Sequence, residues 1–395
     1  MNDKNRILST VGIFHGFNDG SLAIIPLLFP IFKELFNLSY TQIGLITGGG
    51  LAISLLTEIF VGRAFDNSNS RTLLISGVFI LSGSIFILSL SYNFITLILF
   101  VFLIRFSSGF FHPAGIGLIS RTFKMDKIDW AMGIQSAFGN FGTFISILTT
   151  LYIAVNFGWV SPLYIWSLVG LICLFIGFSL TKNTPKKLLI SRVKNKNKNL
   201  SEEIIEWFNI IKRFRLIIPL FIVSSASYGL TISYLPLFLD EKTSLTLSSI
   251  GLIISLWVGV GVISSLLYGK IQSYIRREIL IVMSYIIIGL MGLLLAITTS
   301  IPAIIIIVAL LGLSTFLSFP ALFSFVSEAT HETVEGKTFG YIFTIQLGLG
   351  TLFLFFSGLL ADIFGIWIPF SFLGIIGLFA TLIIFSNRKF LNAYS

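Results

Sequence analysis

Three polar residues fall within five positions of the first apolar run, in His15-Gly-Phe-Asn18-Asp19. His15 and Asp19 are four apart, so on a helix they meet on one face with Asn18 beside them. Asp19 has no Lys or Arg near it in sequence. A carboxylate so placed can load and release a proton, and a histidine one turn away titrates near neutrality unless its surroundings shift it. Further along, Arg105, Ser108, Gly109 and His112 recur at i, i+3, i+4 and i+7, one face of a continuous helix. An arginine at mid-span costs at least about 2.5–3.5 kcal/mol on insertion scales, so it must face protein or water and find a partner. The chemistry open to this set is proton exchange on Asp19, with His15 or His112 tuning it. Arg105 would hold an anionic group or reset the carboxylate. The plainer alternative is a packed polar cluster with Asp19 paired permanently to Arg105.

Other polar residues within apolar runs extend the candidate set. Gln135 and Asn140 lie in the fifth run, and Glu58 lies one turn before Gly62 in the second. Glu58, Tyr228 and Gln346 are secondary candidates. Glu328 and Asp362 fall near run ends, where caps or inter-helix pairs are expected. Enzyme chemistry finds little support: the three His show no His-x-x-x-His or Ser-His-Asp clustering. The single Cys173 excludes a disulfide within the chain and argues against a thiolate metal site. No G-x-x-x-x-G-K-[ST] loop is present, so nucleotide-driven pumping is not expected. No metal and no cofactor is expected.

The elements that position these residues follow from composition. Of 395 residues 55% are hydrophobic and 11% charged, with mean hydropathy +0.97. Soluble domains carry about 25% charged residues, so lipid is the solvent that suits this chain. Twelve apolar runs are long enough to span a bilayer as helices. They are 8–32, 41–63, 72–92, 94–119, 131–155, 159–180, 216–239, 249–270, 279–299, 302–327, 338–361 and 366–386. The first is read as a retained span, because it continues past Phe32 without a cleavage pattern. The net charge of +9 is topological rather than a sign of nucleic acid. With the N-terminus inside, 23 of 26 Lys and Arg fall on the inner side, so both termini are expected in the cytoplasm. The polar stretch 182–215 divides the runs six and six, giving units 1–181 and 216–395 joined by a basic cytoplasmic linker. Within it, Ser201-Glu-Glu-Ile-Ile-Glu-Trp-Phe reads as a short capped helix on the membrane surface.

An internal repeat supports two parallel halves. Gly44 and Gly251, Gly62 and Gly269, Pro113 and Pro320, and Gly133 and Gly340 are all offset by 207. Such halves enclose a substrate site near the bilayer midplane and rock about it.

The loop Gly62-Arg-Ala-Phe-Asp66-Asn-Ser-Asn-Ser-Arg71 resembles the major facilitator superfamily signature G-x-x-x-D-R-x-G-R-R, matching at Gly62, Asp66 and Arg71. Arg105-Phe-Ser-Ser108-Gly109 resembles that family's R-x-x-x-G element. His15-x-x-Asn18-Asp19, Phe111-His112-Pro113 and Gly139-Asn140-Phe141-Gly142 narrow the resemblance to the fosmidomycin-resistance branch. One departure stands out: that branch has an acidic residue where this chain has Ala114. The resemblance implies an all-α membrane protein, with twelve transmembrane helices in two pseudo-symmetric six-helix bundles. It implies a conformational latch at Gly62, Asp66 and Arg71. It further implies secondary active transport of a small solute by alternating access in the cell membrane. Proton-coupled efflux by antiport is the first expectation, and proton-coupled uptake of a small organic anion the second. A membrane sensor that binds solute without moving it is the alternative of another class. The partners expected are a small-molecule substrate, protons and lipid; the chain is expected to be a monomer and to bind no nucleic acid.

Overall fold

The computed structural model describes residues 2–65, 69–123, 125–185, 200–328 and 335–386. Within lipid every backbone N–H and C=O must be satisfied inside its own segment, so each long apolar run becomes a helix. The described helices are α1 (Asp3–Leu27), α2 (Phe29–Leu35), α3 (Tyr40–Phe65), α4 (Ser70–Leu88), α5 (Phe94–Ser108), α6 (Phe111–Thr122), α7 (Met125–Phe157) and α8 (Ser161–Thr181). They continue with α9 (Leu200–Phe214), α10 (Ile218–Lys242), α11 (Leu247–Leu266), α12 (Tyr268–Gln272), α13 (Arg277–Ile297), α14 (Ile301–Glu328), α15 (Glu335–Phe364) and α16 (Ile368–Ser386). Among the described residues eleven spans can cross a membrane by length and composition, with α5 and α6 together forming one of them, or twelve when α1 and α2, bent by 46° at Leu28, also count as one. Pro26 and Pro30 flank that bend and weaken the hydrogen-bond ladder there.

The repeat read from glycines and prolines is visible in the helix boundaries. Helices α11, α13, α14 and α16 each start 207 residues after α3, α4, α5 and α8. The left-handed glycines Gly158 (φ 89°) and Gly365 (φ 106°), just past α7 and α15, are separated by the same interval. A positive φ favours glycine, so these two positions terminate equivalent helices by the same device.

The chain forms two compact units. One comprises Met1–Leu38 with Gly49–Asn195, the other Ser39–Gly48 with Lys196–Ser395. Helix α3 is thus shared, its first nine residues belonging with the second unit and the remainder with the first. In the first unit α1 packs on α7, α8 and α6, and α4 on α8 and α5. In the second α13 packs on α16 and α14, α11 on α14, and α10 on α15 and α16. Glycines allow the closest approaches: a Cβ on Gly142 of α7 would lie 1.9 Å from the Gly16 carbonyl oxygen of α1. In the other unit a Cβ on Gly292 of α13 would lie 2.8 Å from the Gly374 backbone nitrogen of α16. Small residues at helix contacts are how packing is achieved where lipid removes the hydrophobic drive between helices.

The fourth apolar run is interrupted. Helix α5 ends at Ser108 and α6 begins at Phe111. Pro113 has no N–H to give the Gly109 carbonyl, and its ring crowds that oxygen. Gly109 and Phe110 keep right-handed helical angles across this break, so Phe94–Thr122 still counts as one apolar span, with Arg105 and His112 on either side of the break.

Candidate functional site

The polar residues of α1 gather into one cluster within the first unit. His15 and Asn18 are buried, and the Asp19 side chain retains 27% exposure. His15 Nε2 lies 3.0 Å from Asp19 Oδ2, across one helical turn. The other ring nitrogen, Nδ1, is 2.9 Å from the Gln135 backbone oxygen on α7. A carbonyl only accepts, so Nδ1 carries hydrogen. In a neutral ring Nε2 would then aim a lone pair at the carboxylate. The 3.0 Å contact therefore holds a proton, on Nε2 or on Oδ2. Asn18 Nδ2 donates to the other carboxylate oxygen, Oδ1, at 3.0 Å.

The His15 ring is positioned from several sides. Phe111 stacks on it at 4.6 Å between centroids and 24° between planes. His112 meets it edge-on at 5.6 Å. Gly139 of α7 makes room, since a Cβ there would lie 2.8 Å from the imidazole. Glu58 on α3 is within electrostatic reach of both His112 and Asp19. The structure thus brings His15, Asn18, Asp19, His112, Gln135 and Glu58 together. Phe111 joins them through its stacking, a role the sequence reading did not assign. His15, Asp19 and His112 are also the described residues that could hold a metal ion: one ligand atom from each lies within 4.8 Å of the others.

The remaining candidates are placed as follows. Arg105 packs its aliphatic arm against the α3 backbone, where a Cβ on Gly50 would meet Cγ at 2.9 Å. Its carbonyl accepts from Ser54 Oγ at 3.1 Å. Asn140 is half-buried on α7, one residue after Gly139. Gly62 faces Pro113, 3.9 Å from a Cβ built on it. Asp66 lies outside the described residues. Arg71 spends its guanidinium on the end of α8, donating to Thr181 Oγ1 at 2.9 Å and the Phe178 carbonyl at 3.3 Å. In the second unit Tyr228 packs against Trp257 and Phe316, and Gln346 is buried with Oε1 lacking a hydrogen-bond partner among the described residues.

That unit also holds a network built on the hydroxyls of α10. Ser224 of α10 bonds Tyr285 of α13 and Ser318 of α14, both at 2.7 Å, and Ser227 bonds Thr315 at 2.6 Å. Tyr285 Oη also donates to the Leu220 carbonyl at 2.6 Å.

The family model of the Major Facilitator Superfamily matches residues 9–354. The chain belongs to the major facilitator superfamily. Its relatives are transporters rather than enzymes. It is 31% identical over 173 residues to an uncharacterized MFS-type transporter, YfnC, of Bacillus subtilis (strain 168), covering 43% of this chain and 41% of that protein. It is 27% identical over 189 residues to the riboflavin transporter RibZ of Clostridioides difficile (strain 630), covering 48% and 40%. It is 29% identical over 153 residues to the fosmidomycin resistance protein of Escherichia coli (strain K12), covering 38% and 37%. The matches thus span about two fifths of the length of these curated relatives. The crystal structure of a POT family transporter in complex with 5-aminolevulinic acid shares the fold, with a TM-score of 0.81 at 13% identity over 97% of this chain and 96% of that one. This superfamily member is a multi-pass membrane protein whose acidic, amide and imidazole groups converge in its first unit.

Proposed function

We propose that this chain is a secondary active transporter that moves a small solute by alternating access and couples that movement to protons. The observation that carries the reading is the 3.0 Å contact between His15 Nε2 and Asp19 Oδ2 inside a membrane span. The carboxylate's partner is an imidazole, which can gain or lose a proton, where an arginine cannot. One proton lost or gained there changes the charge of α1 within the bilayer. A single charge moved through 100 mV is worth about 2.3 kcal/mol, enough to drive a solute uphill. The fosmidomycin resistance protein among the relatives favours export by antiport. The bias of Lys and Arg supports a reading with both termini in the cytoplasm, and the transporter so read acts as a monomer. Gln135, Asn140 and Arg105 would bind the solute, Arg105 serving an anionic group.

Uptake of a small organic anion by symport is the second reading. It is favoured by Ala114, fully buried where the fosmidomycin-resistance pattern carries a carboxylate. Proteoliposomes with a trapped pH dye and an imposed proton gradient test both, with fosmidomycin and riboflavin as the first probes. Antiport releases protons into the compartment the solute leaves, and symport removes them from it. Solute binding with no flux under either gradient would sink the transport reading and favour a sensor.

A further inference from the structure

We propose that His15, Asp19 and His112 form a binding site for a divalent transition-metal ion of the Zn2+ class, with a fourth position open to water. Sequence spacing hides this site, because His15 and Asp19 are on α1 and His112 is on α6. Stripped of the proton between them, His15 Nε2 and Asp19 Oδ2 direct lone pairs at one point from 3.0 Å apart. Adjacent ligand atoms of a tetrahedral zinc site stand about 3.3 Å apart, given metal–ligand bonds of about 2.0–2.1 Å. The pair therefore needs almost no movement to exchange a proton for a metal.

His112 supplies the third ligand. Its ring makes no hydrogen bond to any described residue, and it sits half-exposed in the first turn of α6, next to the break after Ser108. All three ligand atoms already lie within 4.8 Å, so a side-chain rotation of His112 completes the set. The outer contacts are those that metal sites use to orient their ligands. His15 Nδ1–H is fixed on the Gln135 carbonyl, which leaves Nε2 as the coordinating nitrogen. Asp19 Oδ1 accepts from Asn18, which leaves Oδ2 for the metal. Phe111 and Gly139 hold the imidazole in its plane. Charge also suits a dication, because the Asp19 carboxylate supplies a negative ligand. Two imidazoles and one carboxylate select a borderline metal over Mg2+ or Ca2+, which take mostly oxygen ligands. The partly exposed edge of Asp19 is the entry path.

Metal binding is independent of whether the chain transports anything, so its failure would leave the transport reading untouched. The test is calorimetric titration of the purified full chain with ZnCl2 and, separately, MgCl2. Co2+ absorption serves as a second readout of tetrahedral geometry. One equivalent of Zn2+ is expected, at least tenfold tighter than Mg2+, with an intense tetrahedral Co2+ spectrum. His112→Ala removes a ring that makes no hydrogen bond among the described residues, and Asp19→Asn keeps the shape of its side chain; each is expected to weaken Zn2+ at least tenfold. His331→Ala, altering the third histidine of the chain, is expected to change nothing. Absence of Zn2+ binding by monodisperse wild type, or equal binding by wild type, His112→Ala and Asp19→Asn, would overturn the site.

Discussion

Asp362 at the end of α15 caps α3: its Oδ1 accepts from the Tyr40 backbone N–H and its Oδ2 from that of Thr41, each at 2.7 Å. The first N–H groups of a helix have no partner inside it, and here a carboxylate 322 residues away satisfies two of them. Tyr40 Oη also bonds Glu241 of α10, so three helices meet at one point. Asp362→Ala is expected to lower stability by about 1 kcal/mol, the usual loss for a helix cap. Asp362→Asn, which keeps an acceptor, is expected to lose less. Thermal unfolding in detergent measures both. Equal melting of Asp362→Ala and wild type would show that the cap contributes nothing.

Gly142→Ala is expected to destabilise strongly. Its Cβ would lie 1.9 Å from the Gly16 carbonyl oxygen, and backbone cannot rotate away as a side chain can. The separation of α1 and α7 must grow, at about 1–3 kcal/mol or more for such overpacking. Because α7 carries the Gln135 carbonyl that orients His15, solute binding is expected to weaken as well. Gly83→Ala is the control: a Cβ there meets nothing within 4 Å. It is expected to stabilise α4 by roughly 0.5–1 kcal/mol. The two melting shifts should have opposite signs.

Tyr285→Phe removes a hydroxyl that bonds both Ser224 and the Leu220 carbonyl. The ring is fully buried, so water cannot replace the lost partner. The expected loss is about 1–3 kcal/mol, the penalty for leaving a buried polar group unpaired. Hydrogen exchange at the start of α10, near Leu220, should rise more than at α11 if the hydroxyl anchors that helix. A uniform change across the unit would contradict this anchoring role.

Asp19→Asn leaves the size of the side chain and removes the carboxylate that shares a proton with His15. Solute binding is expected to persist within a few-fold, while solute accumulation driven by a pH gradient disappears. Exchange of labelled solute without a gradient should continue. Full gradient-driven accumulation by Asp19→Asn would exclude Asp19 as the coupling group.

The membrane spans were legible because lipid leaves the backbone little choice. A run of about 20 apolar residues must satisfy its own hydrogen bonds, and a helix does so. For the same reason the 207-residue offset between Gly44 and Gly251 or Pro113 and Pro320 already carried the repeat that the helix starts display. The turn from His15 to Asp19 was legible too, because it lies within one helix and depends only on the helical period.

What lay beyond the sequence were contacts between helices. Nothing local indicates that Gln135, 120 residues away, turns its carbonyl to His15, or that Asp362 ends on Tyr40. Helical periodicity relates Arg105 to His112, but it does not show the break after Ser108 that lies between them. Sequence by itself determined which segments lie in the membrane and which polar residues must find company there. The tertiary structure decided the company, because packing at Gly16, Gly139 and Gly142 sets how near α1 and α7 can come. That separation determines whether the Gln135 carbonyl on α7 reaches the His15 imidazole on α1.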